Sequence, residues 1–283
     1  MSKIQDAIRR LRSDNDSADL APTGEHQVIP IEPSAEPSAA DARAREWLYG
    51  GREIQIDRMR LSAAGLLEPA DSQKSVIGEY RPIRQAVIQG LTAKDAARPL
   101  GNLTAVSSAV AKDGRTFLSL NLAMNLAKDP KHSVVLVDGD SSNQRLSEVL
   151  GVKSEQGLTD WIAEPSMELD SVIMPTDIAD LAILPIGGQG DQLVSLLFDR
   201  DVSDRLETVS ALDRQRIFLF DSPAVLGGDS TTALLKHVGQ IIFVICAGKT
   251  PRSAVRDALT RLGSNRPVKI VLNQVLAPSD PIA

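Results

Sequence analysis

Cysteine is almost absent. Cys246 is the only one in 283 residues, which excludes an intramolecular disulfide framework, and its place in the apolar run Ile241 to Cys246 makes it a small buried hydrophobe rather than a nucleophile. Histidine is nearly as scarce: His26, His132 and His237 lie too far apart in a linker, a turn and a helix end to form a metal or catalytic set, and at the helix end a cationic His237 suits the dipole. Aromatic residues make up 3% of the chain, and Trp161, inside Leu158-Thr159-Asp160-Trp161-Ile162, reads as core rather than as a platform for stacked bases. No basic run is long enough to track a nucleic-acid backbone and the formal net charge is −6, so nucleic acid is not an expected partner. Nor does any segment approach the roughly 18 consecutive apolar residues that span a bilayer, and Met1 to Arg12 is too charged for a signal sequence. A reducing cytoplasm is the expected compartment, with membrane contact only through a partner.

What is present is uneven along the chain. Ile4, Ile8 and Leu11 recur at helical spacing opposite Lys3, Arg9, Arg10 and Arg12, which predicts an amphipathic helix over residues 1–12, either a docking element or a frayed end. Residues 13–42 are rich in Pro, Ser, Ala, Asp and Glu without periodicity and read as a flexible linker. Residues 43–100 read as a helical arm: one helix over 43–65, stopped by Gly65-Leu66-Leu67-Glu68-Pro69, and a second from about Ser75 to Gln89 with Val76, Tyr80, Ile83 and Val87 as its apolar stripe. Pro82 is expected to kink that second helix or confine it to a first turn.

Residues 101–276 change character, and residues 277–283 form a tail. Short, non-alternating, β-branched runs at Leu103–Val106, Val134–Val137, Leu181–Leu184, Ile217–Phe220, Ile241–Ile245 and Val268–Leu272 alternate with helical stretches. Such runs are what strands buried on both faces require, and right-handed crossovers between them give an α/β fold with a doubly wound, mostly parallel sheet.

The loop at residues 109–116, Ala-Val-Ala-Lys-Asp-Gly-Arg-Thr, lies between the first of these strands and a helix over Thr116 to Leu126. This is the position of a phosphate-binding loop. Such a loop uses glycines to turn backbone N–H groups inward, a lysine to reach the β/γ oxygens and a Thr or Ser hydroxyl for Mg²⁺. Gly114 and Thr116 are in place, while the first glycine is Ala109 and the lysine is Arg115. The second strand leaves through Asp138-Gly139-Asp140, two carboxylates at the carboxyl end of a buried strand, where open α/β sheets bind ligands. A helix cap by Asp140 or Ser141 accounts for one aspartate but not both. The strand Ile217 to Phe220 ends in Asp221-Ser222-Pro223. Each signal is weak alone; three in phosphate-loop order are stronger.

The run from Asn102 to Val275 resembles the cytoplasmic P-loop domain of the bacterial tyrosine autokinases (BY-kinases), in particular those tied to exosortase-type exopolysaccharide loci. The resemblance extends upstream through Ile54 to Arg58, Ala64 to Leu67 and Glu79-Tyr80-Arg81-Pro82-Ile83-Arg84. It implies a P-loop NTPase fold of the MinD/ParA-like type that binds ATP or ADP with Mg²⁺. By the same resemblance residues 109–116 are Walker A, Asp138 and Asp140 are Walker A′, and Asp221 is Walker B. Lys112, Asp113, Gly114, Arg115, Thr116 and Phe117 are then expected at the nucleotide, Asn273 at its base, and Thr116 with Asp138 and Asp221 at the metal. Arg115, Asp138, Asp140 and Asp221 are expected to carry the chemistry. The expected partners are a membrane polysaccharide co-polymerase or chain-length protein and further copies of the chain in a homo-oligomer.

Departures bear on activity. The family pattern Pro-Gly-Glu-Gly-Lys-Thr is replaced by Ala111-Lys112-Asp113-Gly114-Arg115-Thr116, and a forked guanidinium is not equivalent to a compact ammonium. Lys112 reads either as a partial replacement for the missing point charge or as a solvated loop lysine. The Arg that follows the acidic pair is absent at Ser142, with Arg145 nearby, and the second proline after Walker B is Ala224. The tyrosine-rich tail is replaced by Pro278 to Ala283, which leaves Tyr49 as the self-target expected ahead of a packed Tyr80. These features set a nucleotide-binding protein with weakened or lost phosphoryl transfer against two alternatives. One is a non-catalytic scaffold of the export machinery. The other is a MinD/ParA-type partitioning ATPase, whose signature lysine is missing at Val110.

Overall fold

Strands buried on both faces need helices on both faces, and the computed structural model has that arrangement. It describes residues 53–63, 73–92, 100–141, 145–152, 156–188 and 190–275, all within one compact unit, Pro37–Ala283. The expected helix at 1–12, the linker, the helix stop at 65–69, Ser142 and the tail lie outside the described residues.

The seven strands are β1 (Leu103–Ser108), β2 (Ser133–Asp138), β3 (Met174–Pro175), β4 (Leu181–Leu184), β5 (Arg216–Asp221), β6 (Gln240–Cys246) and β7 (Val268–Asn273). They stand in the order β3-β4-β2-β5-β1-β6-β7. Every pairing is parallel except β3 with β4. The helices are α1 (Arg58–Ala63), α2 (Gln73–Thr92), α3 (Arg115–Leu126), α4 (Arg145–Leu150), α5 (Leu158–Ala163), α6 (Leu193–Leu196), α7 (Arg200–Leu212), α8 (Asp229–Leu235) and α9 (Arg252–Leu262). None of the described helices is long and apolar enough to cross a membrane.

Side chains alternate between the two faces of the sheet, so the central strands feed two separate cores, whereas β7, expected to be buried on both faces, lies at the sheet edge and leaves Ile270 and Leu272 exposed. Leu103, Val135, Val137, Phe218, Phe220, Ile241 and Phe243 pack with Trp161, Val202, Leu206 and Leu234 on one face. Val134, Leu136, Ile217, Leu219, Ile242 and Val244 pack on the other with Leu118, Leu122, Leu126, Tyr80 and Val87. Trp161 is core, as its sequence context predicts, and Arg205 lies 4.4 Å above its ring. His237 departs from the cation expected at a helix end: Leu197 O lies 2.9 Å from its Nε2 and Ser203 Oγ lies 3.1 Å from its Nδ1. Burial holds its pKa below the ordinary value, which favours the neutral ring.

Upstream, one expectation is corrected and another is narrowed. The helix predicted over 43–65 is, among its described residues, only Arg58–Ala63. Ahead of it Ile54 forms an isolated parallel bridge with Thr176 and its N–H reaches Pro175 O at 2.8 Å. The alternation Ile54-Gln55-Ile56 fits this extended segment, and the Asp57 carboxylate, accepting Arg60 N–H at 2.9 Å, marks the helix start. Nor does Pro82 confine the second helix to one turn, since α2 runs on both sides of it. Tyr80 and Val87 anchor this helix in the core, and the Gln240 amide donates to Val87 O at 3.0 Å and Gly101 O at 2.9 Å. Tertiary packing outweighs the lost backbone bond.

Candidate functional site

The carboxyl ends of β1, β2 and β5 bring the predicted residues to one place. Between Ser108 and α3 the backbone is left-handed at Lys112 (φ 69°) and Gly114 (φ 97°). At Lys112 this is a backbone shape that favours glycine. Gly114 cannot carry a side chain without displacement, because a Cβ would stand 2.1 Å from Asn273 Nδ2. The loop opens onto the first turn of α3, whose leading N–H groups have no helical acceptor. Among the described residues no acceptor takes the N–H groups of Ala111 through Phe117. Unsatisfied donors at a helix N-terminus form an anion cradle.

Arg115 turns back into this loop. Its Nη1 donates to Ser108 Oγ at 2.8 Å and to Val110 O at 3.1 Å, and its Nη2 stands 3.5 Å from Asp140 Oδ2. The Nε of the same side chain is buried with no protein partner. Lys112 is exposed, as expected of a solvated loop lysine, and Phe117 is half-buried against the α3 core. Asp113 is buried within the loop, its carboxylate bonded by Thr250 Oγ1 at 2.8 Å and approached by Val110 N–H at 3.4 Å. Asn273 gives its amide to Asp113 O at 3.0 Å.

The acidic residues are held differently from one another. Asp138 and Asp221 are register partners across β2 and β5. Asp138 receives the Ser147 N–H at 3.1 Å and the Ser147 hydroxyl, so its carboxylate is tied to the first turn of the following helix. Desolvation nonetheless raises its pKa above the ordinary carboxylate value. Asp221 accepts from Ser119 Oγ at 3.0 Å. Burial pushes its carboxyl up to about 7, against the opposing pull of the Thr116 hydroxyl and the Arg115 charge.

Asp221 therefore makes stability depend on pH. Its unfolded-state value is near 3.8 and its folded value about 7. Between those values the unfolded chain has released a proton that the native protein keeps, so this residue's contribution falls as pH rises through the window and levels off above it. Asp221→Asn keeps the acceptor for Ser119 and removes the titration. The variant is expected to gain melting temperature relative to wild type as pH rises from 4.5 to 8. A difference independent of pH overturns this account.

No group of three His, Cys, Asp or Glu side chains able to hold a metal occurs among the described residues. A nucleotide-bound Mg²⁺ needs fewer, because phosphate oxygens and water supply most of its ligands. Thr116, bonded to Asp221, offers a donor set of that kind.

No protein-family model matches the chain. In sequence it is 24% identical over 196 residues to the tyrosine-protein kinase ptk of Acinetobacter johnsonii, covering 69% of this chain and 26% of that protein. It is 32% identical over 119 residues to an uncharacterized ATP-binding protein of Methanocaldococcus jannaschii, covering 42% of each. The chain thus spans well under half the length of these curated relatives. In structure it matches the kinase domain of the Escherichia coli tyrosine kinase ETK with a TM-score of 0.61 at 20% identity, over 72% of this chain and 77% of that one. The chain has the fold of a bacterial tyrosine-kinase domain. The BceF tyrosine kinase domain gives 0.59 at 20% identity over 78% and 91% of the two chains. The MinC:MinD cell division protein complex from Aquifex aeolicus gives 0.51 at 17% identity over 61% and 68% of the two chains. The resemblance read from the motifs is borne out in this kinase-type fold, and so is the doubly wound, mostly parallel sheet.

Within the kinase-type fold, Ser108, Ser119, Ser147 and Thr250 touch the expected site residues without having been singled out by motif. Ser108 lies one residue before the loop and Ser119 one helical turn after Thr116, so spacing could have found both. Thr250 is 137 positions from its partner Asp113, and no local pattern reveals that contact.

Proposed function

We propose that this chain binds ATP or ADP with Mg²⁺ and serves exopolysaccharide polymerisation or export as a BY-kinase-like protein with weakened or lost phosphoryl transfer. The observation that carries the binding half is the row of unpartnered N–H groups from Ala111 to Phe117, facing no acceptor among the described residues beside Arg115 and Thr116. The groups present fit the ligand: the cradle and Arg115 for phosphate, Thr116 and Asp221 for the metal, with Asp138 and Asp140 nearby. When bound, Mg·ATP supplies the phosphoryl group. This chain's own residues hold it and balance charge.

The weakened half of the reading rests on two commitments. Arg115 is fastened to Ser108, Val110 and Asp140, and the Asp138 carboxylate is engaged by Ser147. Arg115 has to break its bonds to follow developing charge, and Ser147 leaves Asp138 only Oδ1 with which to accept a proton. The same observations favour a second reading, a nucleotide-responsive scaffold without catalysis. On either reading the partner is a membrane polysaccharide co-polymerase or chain-length protein, the assembly is a homo-oligomer, and the place is the cytoplasmic side of the membrane.

Binding is tested by melting. Mg·ADP or Mg·ATP at about 100 times its dissociation constant is expected to add about 2.7 kcal/mol, a shift of several degrees. A melting curve unmoved by millimolar Mg·ATP and Mg·ADP sinks the nucleotide-binding reading.

A further inference from the structure

A phosphate loop works only if its N–H groups stay turned inward, and here one of the residues that turns them is a lysine. Lys112 holds φ 69°, a conformation that a residue with a Cβ keeps only when its surroundings over-determine it. Two distant elements grip the neighbouring residue. Thr250, in the turn between β6 and α9, accepts the Cys246 N–H at 2.9 Å and so directs its own hydroxyl proton to Asp113 Oδ1, 2.8 Å away. At the end of β7, Asn273 Oδ1 accepts the Gln274 N–H at 2.9 Å, which fixes the amide orientation and leaves Nδ2 to donate to Asp113 O at 3.0 Å. The same amide lies against Gly114. Asp113, 3% exposed, is thus held by side chain and backbone at once, between the two left-handed residues.

We propose that Thr250 and Asn273 are positioning residues that hold the phosphate loop in its inward-facing form through Asp113. The proposal rests on the nucleotide-binding reading for its functional meaning, and it assigns Asn273 a role on the loop in addition to the base contact that the resemblance implies. Released from this grip, Lys112 relaxes toward a right-handed or extended backbone and the N–H groups diverge.

The test uses the full chain and two readouts: hydrogen exchange of the bonded amides of Val110 and Leu118 without nucleotide, and the dissociation constant for a fluorescent Mg·ADP analogue. Thr250→Val removes the hydroxyl at nearly constant shape and is expected to speed exchange at Val110 and Leu118, whose N–H groups bond to Asp113 and Gly114, and to weaken binding, each about tenfold, the scale of one hydrogen bond to a charged group. Thr250→Ser restores the hydroxyl and is expected to return both to within about twofold of wild type. Asn273→Ala releases the other grip, is expected to act in the same direction, and serves if Thr250→Val does not fold. Wild-type exchange and affinity in both Thr250→Val and Asn273→Ala overturn the proposal, as does a Thr250→Ser variant as impaired as Thr250→Val. If wild type binds no Mg·ADP while loop exchange responds as expected, the nucleotide reading fails and the loop-holding role stands.

Discussion

Arg115→Ala is expected to remove whatever Mg·ATP turnover the protein has, and Arg115→Lys to leave it equal or higher. Arg115 is the loop cation, standing 3.5 Å from Asp140 and lowering the pKa of Asp221 through its charge. A positioned cation on a transferring phosphoryl group is worth orders of magnitude in rate, because it acts on charge that grows in the transition state. Alanine leaves that charge unbalanced beside buried carboxylates. Lysine supplies a point charge without the fork that ties arginine to Ser108 Oγ and Val110 O. Hydrolysis is measured as phosphate release by wild type and both variants. Background rates in wild type and Arg115→Lys alike remove the enzymatic reading and leave the scaffold.

Phe243→Ala is expected to cost about 3–5 kcal/mol, a large part of the roughly 5–15 kcal/mol that stabilises a typical protein. Phe243 is fully buried at 0% exposure in the middle of β6, between β1 and β7, where neighbours on three sides cannot collapse into the space left behind. Ile270 on the edge strand β7 is 55% exposed, and its replacement by alanine is expected to change stability by less than about 0.5 kcal/mol. Urea unfolding of the two variants checks the contrast, read as a large fall in midpoint for Phe243→Ala at unchanged slope. Similar midpoints in the two variants contradict this picture of the sheet.

The strands were legible because burial on both faces leaves a mark in sequence: Val134-Val135-Leu136-Val137 has no polar face to alternate with. β3 left no such mark, since Met174–Pro175 is two residues long and proline belongs on an edge. The segment at 53–57 carries a period of two, through Ile54 and Ile56, that is too short to stand out from the helical pattern around it. In the site, the loop, the paired aspartates and Asp221 were readable from their places at strand ends. Their partners were not. That Asp138 is bonded by Ser147 depends on how the chain returns at the next helix, and the grip of Thr250 on Asp113 depends on β6 lying beside β1. Such contacts are properties of topology, which a local pattern does not encode.

The sheet also inverts the relation between sequence adjacency and energetic adjacency. Ile242 and Phe243 are covalent neighbours, yet they point into different cores, so a change at one reaches the other only through the backbone. Phe243 shares a core with Phe218 and Phe220 of β5, a strand that it does not even pair with. Paired changes within one core are therefore coupled and non-additive, whereas changes in consecutive residues of a strand approach independence. The central sheet is a partition, and substitutions on its two sides accumulate in separate ledgers.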